Sequence, residues 1–255
     1  SLAIVEASVY DDPSFRRRLA DAVRSLRVGW ATDPATMTGP VINPPSGSLA
    51  RALTQLSPGE TWLVEPKSLD DSGRLWSPGV IWDVSPGAWF HLTECFGPVL
   101  GVIRARDLDD AIEIQNAPDY GLTGGLHSLD PKEIDTWLDR VQVGNAYVNR
   151  HITGAIVQRQ PFGGWKASSI GGGAKPGGPG HLHAYGTWMP RHLDMAQAQA
   201  SFPRAWTEHF SVDLDPTGLR SESNILRHHR LDGVVVRGDT SGPAYEVHTL
   251  AALTT

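Results

Sequence analysis

Gln160-Pro161-Phe162-Gly163-Gly164-Trp165-Lys166-Ala167-Ser168-Ser169 decides how this chain is read, because of the two segments on either side of it. An aromatic ring followed by two glycines lets the backbone pass close to another element, since neither glycine carries a Cβ. Upstream stands Glu94-Cys95-Phe96-Gly97-Pro98-Val99, a carboxylate, a small residue and an aromatic ring ahead of a Gly-Pro turn and an apolar run. Such a turn holds Glu94 and Phe96 at a strand edge, where α/β folds place ligand sites. Downstream stands Gly171-Gly172-Gly173-Ala174-Lys175-Pro176-Gly177-Gly178-Pro179. Its consecutive unencumbered N–H groups beside Lys175 form a concavity able to hold a carboxylate. It lacks the phosphate-cradling Gly-x-x-x-x-Gly-Lys-Ser/Thr pattern, and no dinucleotide fingerprint opens a helix there. On residues alone each segment keeps a plainer reading: a turn with a core Phe and a solvated Glu, a tight loop around a buried Phe, and a surface loop.

Outward from these segments, strands and helices alternate. Leu2 to Tyr10 is an apolar run that reads as a buried strand. Phe15, Leu19, Ala22, Val23 and Leu26 recur at spacings of three and four, which predicts an amphipathic helix over 11–26. Arg16, Arg17, Arg18 and Arg24 fall mainly on its wet side, a solvated face rather than an anion site. Gly29 to Pro45 is loop, and Ser46 or Ser48 caps a short helix through Leu56. Strands are expected over Thr61 to Glu65, Val80 to Val84 and Val99 to Arg104, and Asp107 opens a helix carrying Ala111, Ile112 and Ile114. Asp130-Pro131-Lys132-Glu133 combines an Asp N-cap, Pro at the first helical position and Glu three residues after the cap. The helix it starts carries Ile134, Trp137, Leu138 and Val141 on one face and ends before Gly144, with a strand at Ala146 to Val148. The alternation predicts an α/β layer architecture with a largely parallel sheet flanked by helices.

Composition shifts after Pro190. Asp194 to Phe210 reads as a helix that Pro203 should break or kink. Asp213 to Gly218 is a turn cluster and Val234 to Val236 a short strand. The expected division is therefore residues 1–190 as one body and residues 191–255 as a small C-terminal extension, the opening of a further domain.

The 255 residues are 40% apolar and 20% charged, with a net charge of −6, which suits a soluble globular protein. Acids and bases are interspersed, so no basic stripe exists to track a phosphate backbone, and nucleic acid is excluded as a partner. No apolar run approaches the roughly 20 residues that span a bilayer. The single cysteine, Cys95, forms no disulfide within the chain, which agrees with a reducing cytoplasm. It is not a catalytic nucleophile either, because Glu94 raises its pKa and no Lys, Arg or His adjoins it in sequence. His181, His183, His192, His228 and His229 match no zinc spacing, so no metal is expected. Ser168, Ser169 and Ser201 sit in no Gly-x-Ser-x-Gly elbow, which sets aside a serine hydrolase.

Taken in order, the three opening segments resemble the later half of an aldehyde dehydrogenase. Within that family they are similar to the L-glutamate-γ-semialdehyde (1-pyrroline-5-carboxylate) dehydrogenases, including the dehydrogenase module of proline utilization A. Gly144-Asn145-Ala146-Tyr147-Val148-Asn149-Arg150 and Gly154-Ala155 add to the likeness, which covers about Ser1 to Trp188. Asp215 to Gly218 and Glu222 to Arg227 look like the junction into the C-terminal domain of proline utilization A.

The resemblance implies a catalytic-domain-like fold and an NAD-dependent oxidation of L-glutamate γ-semialdehyde to glutamate in proline catabolism. Glu94 is then the carboxylate that bonds the nicotinamide ribose, and Phe96 packs by the nicotinamide ring. Phe162 resembles the aromatic that lines the aldehyde tunnel. Gly177 and Gly178 match the pair whose amides anchor the substrate's α-carboxylate. In the family a thiolate attacks the aldehyde, hydride passes to the nicotinamide, and water cleaves the thioester. The nucleophilic Cys, the general-base Glu and most of the dinucleotide fold lie before the position of Ser1 in that family. Leu2-Ala3-Ile4-Val5-Glu6 resembles the strand just after that Cys. Residues 1–255 therefore hold no catalytic residue, need the N-terminal half of the enzyme as partner, and are expected to be inactive alone. A homo-oligomer is the family's habit. The rival reading is a non-catalytic aldehyde-dehydrogenase-like structural or interaction module.

Overall fold

The computed structural model describes residues 1–154, 156, 159–169, 175–187, 189, 194–230, 233 and 235. The chain divides into two compact units, Ser1–Ile152 with Gly164–Ser169, and Thr153–Gly163 with Ile170–Thr255.

In the first unit the elements run β1 (Leu2–Glu6), α1 (Ala7–Tyr10), α2 (Pro13–Arg24), α3 (Gly47–Thr54), β2 (Thr61–Val64), β3 (Gly79–Trp82), α4 (Trp89–Leu92), β4 (Val99–Ala105), α5 (Leu108–Asn116), β5 (Tyr120–Gly121), β6 (Thr123–Leu126), α6 (Pro131–Arg140), β7 (Asn145–Val148) and β8 (Trp165–Lys166). A four-stranded sheet has the order β1-β4-β3-β2. β1 and β3 both pair in parallel with β4, in register Ile4↔Ile103 and Ile81↔Gly101, while β2 closes the edge antiparallel to β3. β6 and β7 pair in parallel, and β5 pairs antiparallel with β8. The α/β character and the mostly parallel pairing are those the sequence predicts.

The sheet is buried on both faces, because alternate residues of a strand point opposite ways. One face packs Ile81, Ile103 and Val99 with Leu53, Phe90 and Ile114. The other packs Val80, Trp82 and Val102 with Tyr10 and, from α2, Phe15, Leu19 and Val23. Tyr10 stacks on Trp82 at 4.2 Å between ring centroids. Each such large apolar side chain contributes about 1.5–3 kcal/mol when fully buried. A third cluster of Ile112, Trp137 and Val141 joins α5 to α6, where Trp137 Nε1 donates to Gln115 Oε1 at 2.7 Å.

Three expectations need correction. The strand expected over Leu2 to Tyr10 ends at Glu6, because the Glu6 carboxylate accepts from the Ser8 amide at 3.1 Å and starts a helical turn. The following helix is Pro13–Arg24 rather than 11–26, since Asp12 accepts from Ser14 N at 2.8 Å and Pro13 takes the first helical position. At α6 the Asp130 cap binds Lys132 N at 2.8 Å, but Glu133 does not reach back to the cap amide. Instead Ser128 relays between them: its hydroxyl donates to Glu133 and accepts from Asp130 N.

The second unit contains a 3₁₀ turn at His181–Tyr185, α7 (Met195–Ala205) and a π-helical turn at Trp206–Phe210. Pro203 does not break this helix. It sits inside α7, and the turn after it widens, with Ser211 N reaching Trp206 O at 2.8 Å. Farther on, Leu214 and Leu226 exchange both backbone hydrogen bonds at 3.1 and 2.7 Å. The strand expected at Val234 to Val236 lies outside the described residues.

Candidate functional site

α4 is a single turn, and the chain leaves it extended at Thr93. Extension alternates side chains, so Cys95 turns into the core at 5% exposure while Phe96 stands 81% exposed. Glu94 is exposed as well. The segment is fixed from α3, where Ser48 Oγ donates to Glu94 O at 3.3 Å. Gly97 is required by close approach: a Cβ there would come within 2.4 Å of Leu49 Cδ1. Pro98 O accepts from Gly79 N at 2.9 Å and brings β3 beside β4.

Glu94 and Phe96 line a cleft of about 1010 Å³ whose other walls include Ile42, Asn43, Tyr120 and Ser168. The cleft is at the upper end of the size range for small-molecule and cofactor sites. Ser1 also lines it, with its nitrogen 3.4 Å from Val99 O, so β1 starts at the cleft wall. Burial pushes the Cys95 thiol above its usual pKa, outweighing the lowering by the Ser1 ammonium and Arg51, with a smaller upward push from Glu94, and Sγ lies 3.6 Å from Thr93 O. A buried, protonated thiol facing the core is a packing group, not a nucleophile.

The second unit brings Phe162, Gly177 and Gly178 together. Lys175-Pro176-Gly177-Gly178 is a β-turn closed by Gly178 N to Lys175 O at 2.8 Å. Gly177 holds φ +77, so Pro at the second position and Gly at the third make it type II. Phe162 N donates to Pro176 O at 3.2 Å and hangs the half-buried Phe162 on that turn. The Gly178 amide is thus committed inside the turn, whereas Gly177 N–H has no hydrogen-bond partner among the described residues. Desolvation lowers the pKa of Lys175. Gly171 to Ala174, part of the expected concavity, lie outside the described residues.

Two supports escaped the sequence reading. Gln160 Nε2 donates to Asn224 Oδ1 at 2.6 Å, and Arg159 pairs with Glu222 at 3.3 Å, which ties the residues before Phe162 to the 213–227 segment. Asn224 is buried and also donates to Thr217 Oγ1 at 3.0 Å. His91, at 3% exposure, lies three residues before Glu94 in the first unit. A lone His in an apolar run and an Asn after a turn carry no local signal that would single them out.

Among the described residues no group of three His, Cys, Asp or Glu side chains is placed to hold a metal ion. His192 lies outside them. None of their helices is long and apolar enough to cross a membrane.

The profile of the Aldehyde dehydrogenase family matches residues 1–188. The 1-pyrroline-5-carboxylate dehydrogenase of Geobacillus sp. (strain WCH70) is 38% identical over 183 residues, which is 71% of this chain and 35% of that protein. The chain thus spans about a third of the length of the curated relatives it matches. The solved structure of proline utilization A (PutA) from Corynebacterium freiburgense superposes with a TM-score of 0.91 at 46% identity, covering 99% of this chain and 28% of that one. That likeness extends past residue 188. The 1-pyrroline-5-carboxylate dehydrogenase from Thermus with bound NAD gives a TM-score of 0.56 at 33% identity, over 66% of this chain and 32% of that one.

Proposed function

Because the chain belongs to the aldehyde dehydrogenase family, we propose that it is the part of an NAD-dependent L-glutamate-γ-semialdehyde dehydrogenase that holds the nicotinamide end of the cofactor and the substrate's carboxylate. The observation that carries this reading is the outward pair Glu94 and Phe96 on an extended segment lining the cleft, with Cys95 turned into the core between them. The names of its relatives, 1-pyrroline-5-carboxylate dehydrogenase and proline utilization A, support the choice of substrate.

NAD, when bound, supplies the hydride acceptor. Glu94 would accept hydrogen bonds from ribose hydroxyls, a charge-assisted contact of the stronger kind. Phe96, already exposed, would cover the nicotinamide ring with its face. A carboxylate and a bare aromatic ring beside a cleft of this size fit such a group. In the second unit Phe162 would line the aldehyde's path, and the open Gly177 amide would donate to the α-carboxylate. Cys95 takes no part. The nucleophile and the general base come from residues that precede the position of Ser1 in the family.

The test compares the protein encoded by the whole reading frame with residues 1–255 alone, following NADH formed from glutamate semialdehyde and NAD. The whole protein is expected to form NADH and residues 1–255 to form none. In the whole protein, Glu94→Ala should raise KM for NAD on the order of tenfold, the loss of one charge-assisted contact. A whole protein that binds no NAD would defeat the reading in favour of a structural module. NADH production by residues 1–255 would defeat the placement of the nucleophile.

A further inference from the structure

We propose that His91 is a positioning residue for the cofactor side of the cleft: its neutral imidazole, clamped between the Gly87 amide and the Ile114 carbonyl, fixes the direction in which Glu94 and Phe96 leave α4. This rests on the assignment of Glu94 and Phe96 to NAD.

The clamp is specific. Gly87 N lies 2.8 Å from His91 Nδ1, and His91 Nε2 lies 2.9 Å from Ile114 O. A backbone amide only donates and a carbonyl only accepts, so the ring must be bare at Nδ1 and protonated at Nε2. Both nitrogens are committed in a side chain only 3% exposed. Such a residue is a rigid strut, not a spare base.

α4 needs that strut. It has four residues, its Ala88 N-cap makes no side-chain hydrogen bond, and one isolated turn has no stability of its own. Its direction must be imposed from outside. Ile114 supplies a fixed point, because it is buried in the last turn of α5, where its carbonyl also accepts from the Ala117 amide at 3.3 Å. Gly87, at φ +80, belongs to the turn that delivers the chain into α4. His91 therefore joins the approach to α4 with the end of α5, three residues ahead of Glu94. Ser48 and Leu49 hold the same segment from its far end, at Glu94 O and against Gly97. Phe90, buried in the core, anchors the same turn, so without His91 α4 would stay attached but lose its directional clamp, and both Glu94 and Phe96 would shift.

The experiment uses the whole enzyme and measures NAD dissociation by protein fluorescence, together with KM for NAD and for glutamate semialdehyde. His91→Leu keeps bulk but takes the acceptor from the Gly87 amide and removes one of the two donors to Ile114 O, leaving Ala117 N. It should weaken NAD binding roughly tenfold while KM for the semialdehyde stays within about twofold. His91→Gln can offer an acceptor and a donor together, and should recover most of the NAD affinity. Three results would overturn the inference: a folded His91→Leu that binds NAD as the wild type does, equal rises in both KM values, or no rescue by His91→Gln. If His91→Leu does not fold, His91→Asn decides, since its short amide keeps an acceptor near Gly87 but does not reach Ile114. An unchanged NAD dissociation constant in that variant overturns the inference too. Glu94→Ala is measured alongside. If it leaves NAD binding intact, the cofactor assignment itself falls; if it weakens NAD binding and the His91 variants do not, only the role of His91 falls.

Discussion

Tyr10 donates its hydroxyl hydrogen to Asp83 Oδ1 at 2.8 Å, and the same oxygen accepts from Asp83 N at 3.2 Å. Asp83 stands just after β3 at φ +63, a left-handed conformation that costs a residue with a Cβ roughly 1–2 kcal/mol. Thr61 Oγ1 binds its other carboxylate oxygen at 3.2 Å. The helical turn α1 thus holds a strained residue at the point where β3 gives way to the approach to α4.

Tyr10→Phe removes one acceptor and one donor from Asp83 and should cost about 1–2 kcal/mol in urea unfolding. Asp83→Ala should cost a similar amount, and the double variant clearly less than the sum, since both lose the same contacts. Burial, then the bond to Asp83, pushes the Tyr10 hydroxyl well above its usual pKa of 10.0. The folded state keeps that proton more tightly than the unfolded one, so the stabilisation is whole below about pH 10 and is lost as pH rises further. Additive costs, or an alkaline stability loss unchanged in Tyr10→Phe, would dismiss the pairing.

Gly178→Val tests the proposed carboxylate anchor. A Cβ on Gly178 would sit 3.0 Å from Lys175 O and 3.3 Å from Pro161 Cβ, so a branched side chain forces the type II turn open and displaces the Gly177 amide. In the whole enzyme KM for glutamate semialdehyde should rise by an order of magnitude or more, the worth of a hydrogen bond to a charged group. KM for a simple aliphatic aldehyde, which has no carboxylate to anchor, should change far less. Equal rises for both substrates would mean the turn shapes the site without holding the carboxylate.

The sequence was legible where one rule acted alone. Strands at Val80 and Val99 follow from apolar runs, and α6 from its Asp-Pro start. Reading failed where a local side chain outvoted the run. Ser8-Val9-Tyr10 looks like strand, yet the Glu6 carboxylate turns it into helix. Pro203 looks like a breaker, yet α7 runs through it and a π turn follows. Lys166 was unreadable for a different reason. Its φ of +51 and its ammonium contacts to the Asn116 and Pro118 carbonyls depend on α5, fifty residues away in sequence. Glu94 and Phe96 can be proposed from sequence because their motif is contiguous. His91 was not, because its two partners meet only in the fold.

The Asp213–Arg227 segment carries an acid-sensitive lock. Asp215 Oδ1 accepts from Thr217 Oγ1 at 2.8 Å and from Gly218 N at 3.1 Å, while Oδ2 accepts from Asn224 N at 3.1 Å. The bond from Thr217 above all holds the Asp215 carboxyl below its usual 3.8, and the Arg227 guanidinium does the same to Asp213. Both groups have folded pKa values below the unfolded ones. Their contribution is therefore complete above about pH 4 and is lost as pH falls through the folded values. Amide exchange at Asn224 and Leu226, corrected for the intrinsic pH dependence of exchange, should show protection at about pH 5 and markedly less near pH 3. Core amides such as Ile81 and Ile103 should keep theirs over that interval. Asp215→Ala should open the segment already at the higher pH, because four donors, the Thr217 amide among them, then lose their common acceptor. Protection at Asn224 that is the same at both pH values would show that the carboxylates do not hold the segment closed.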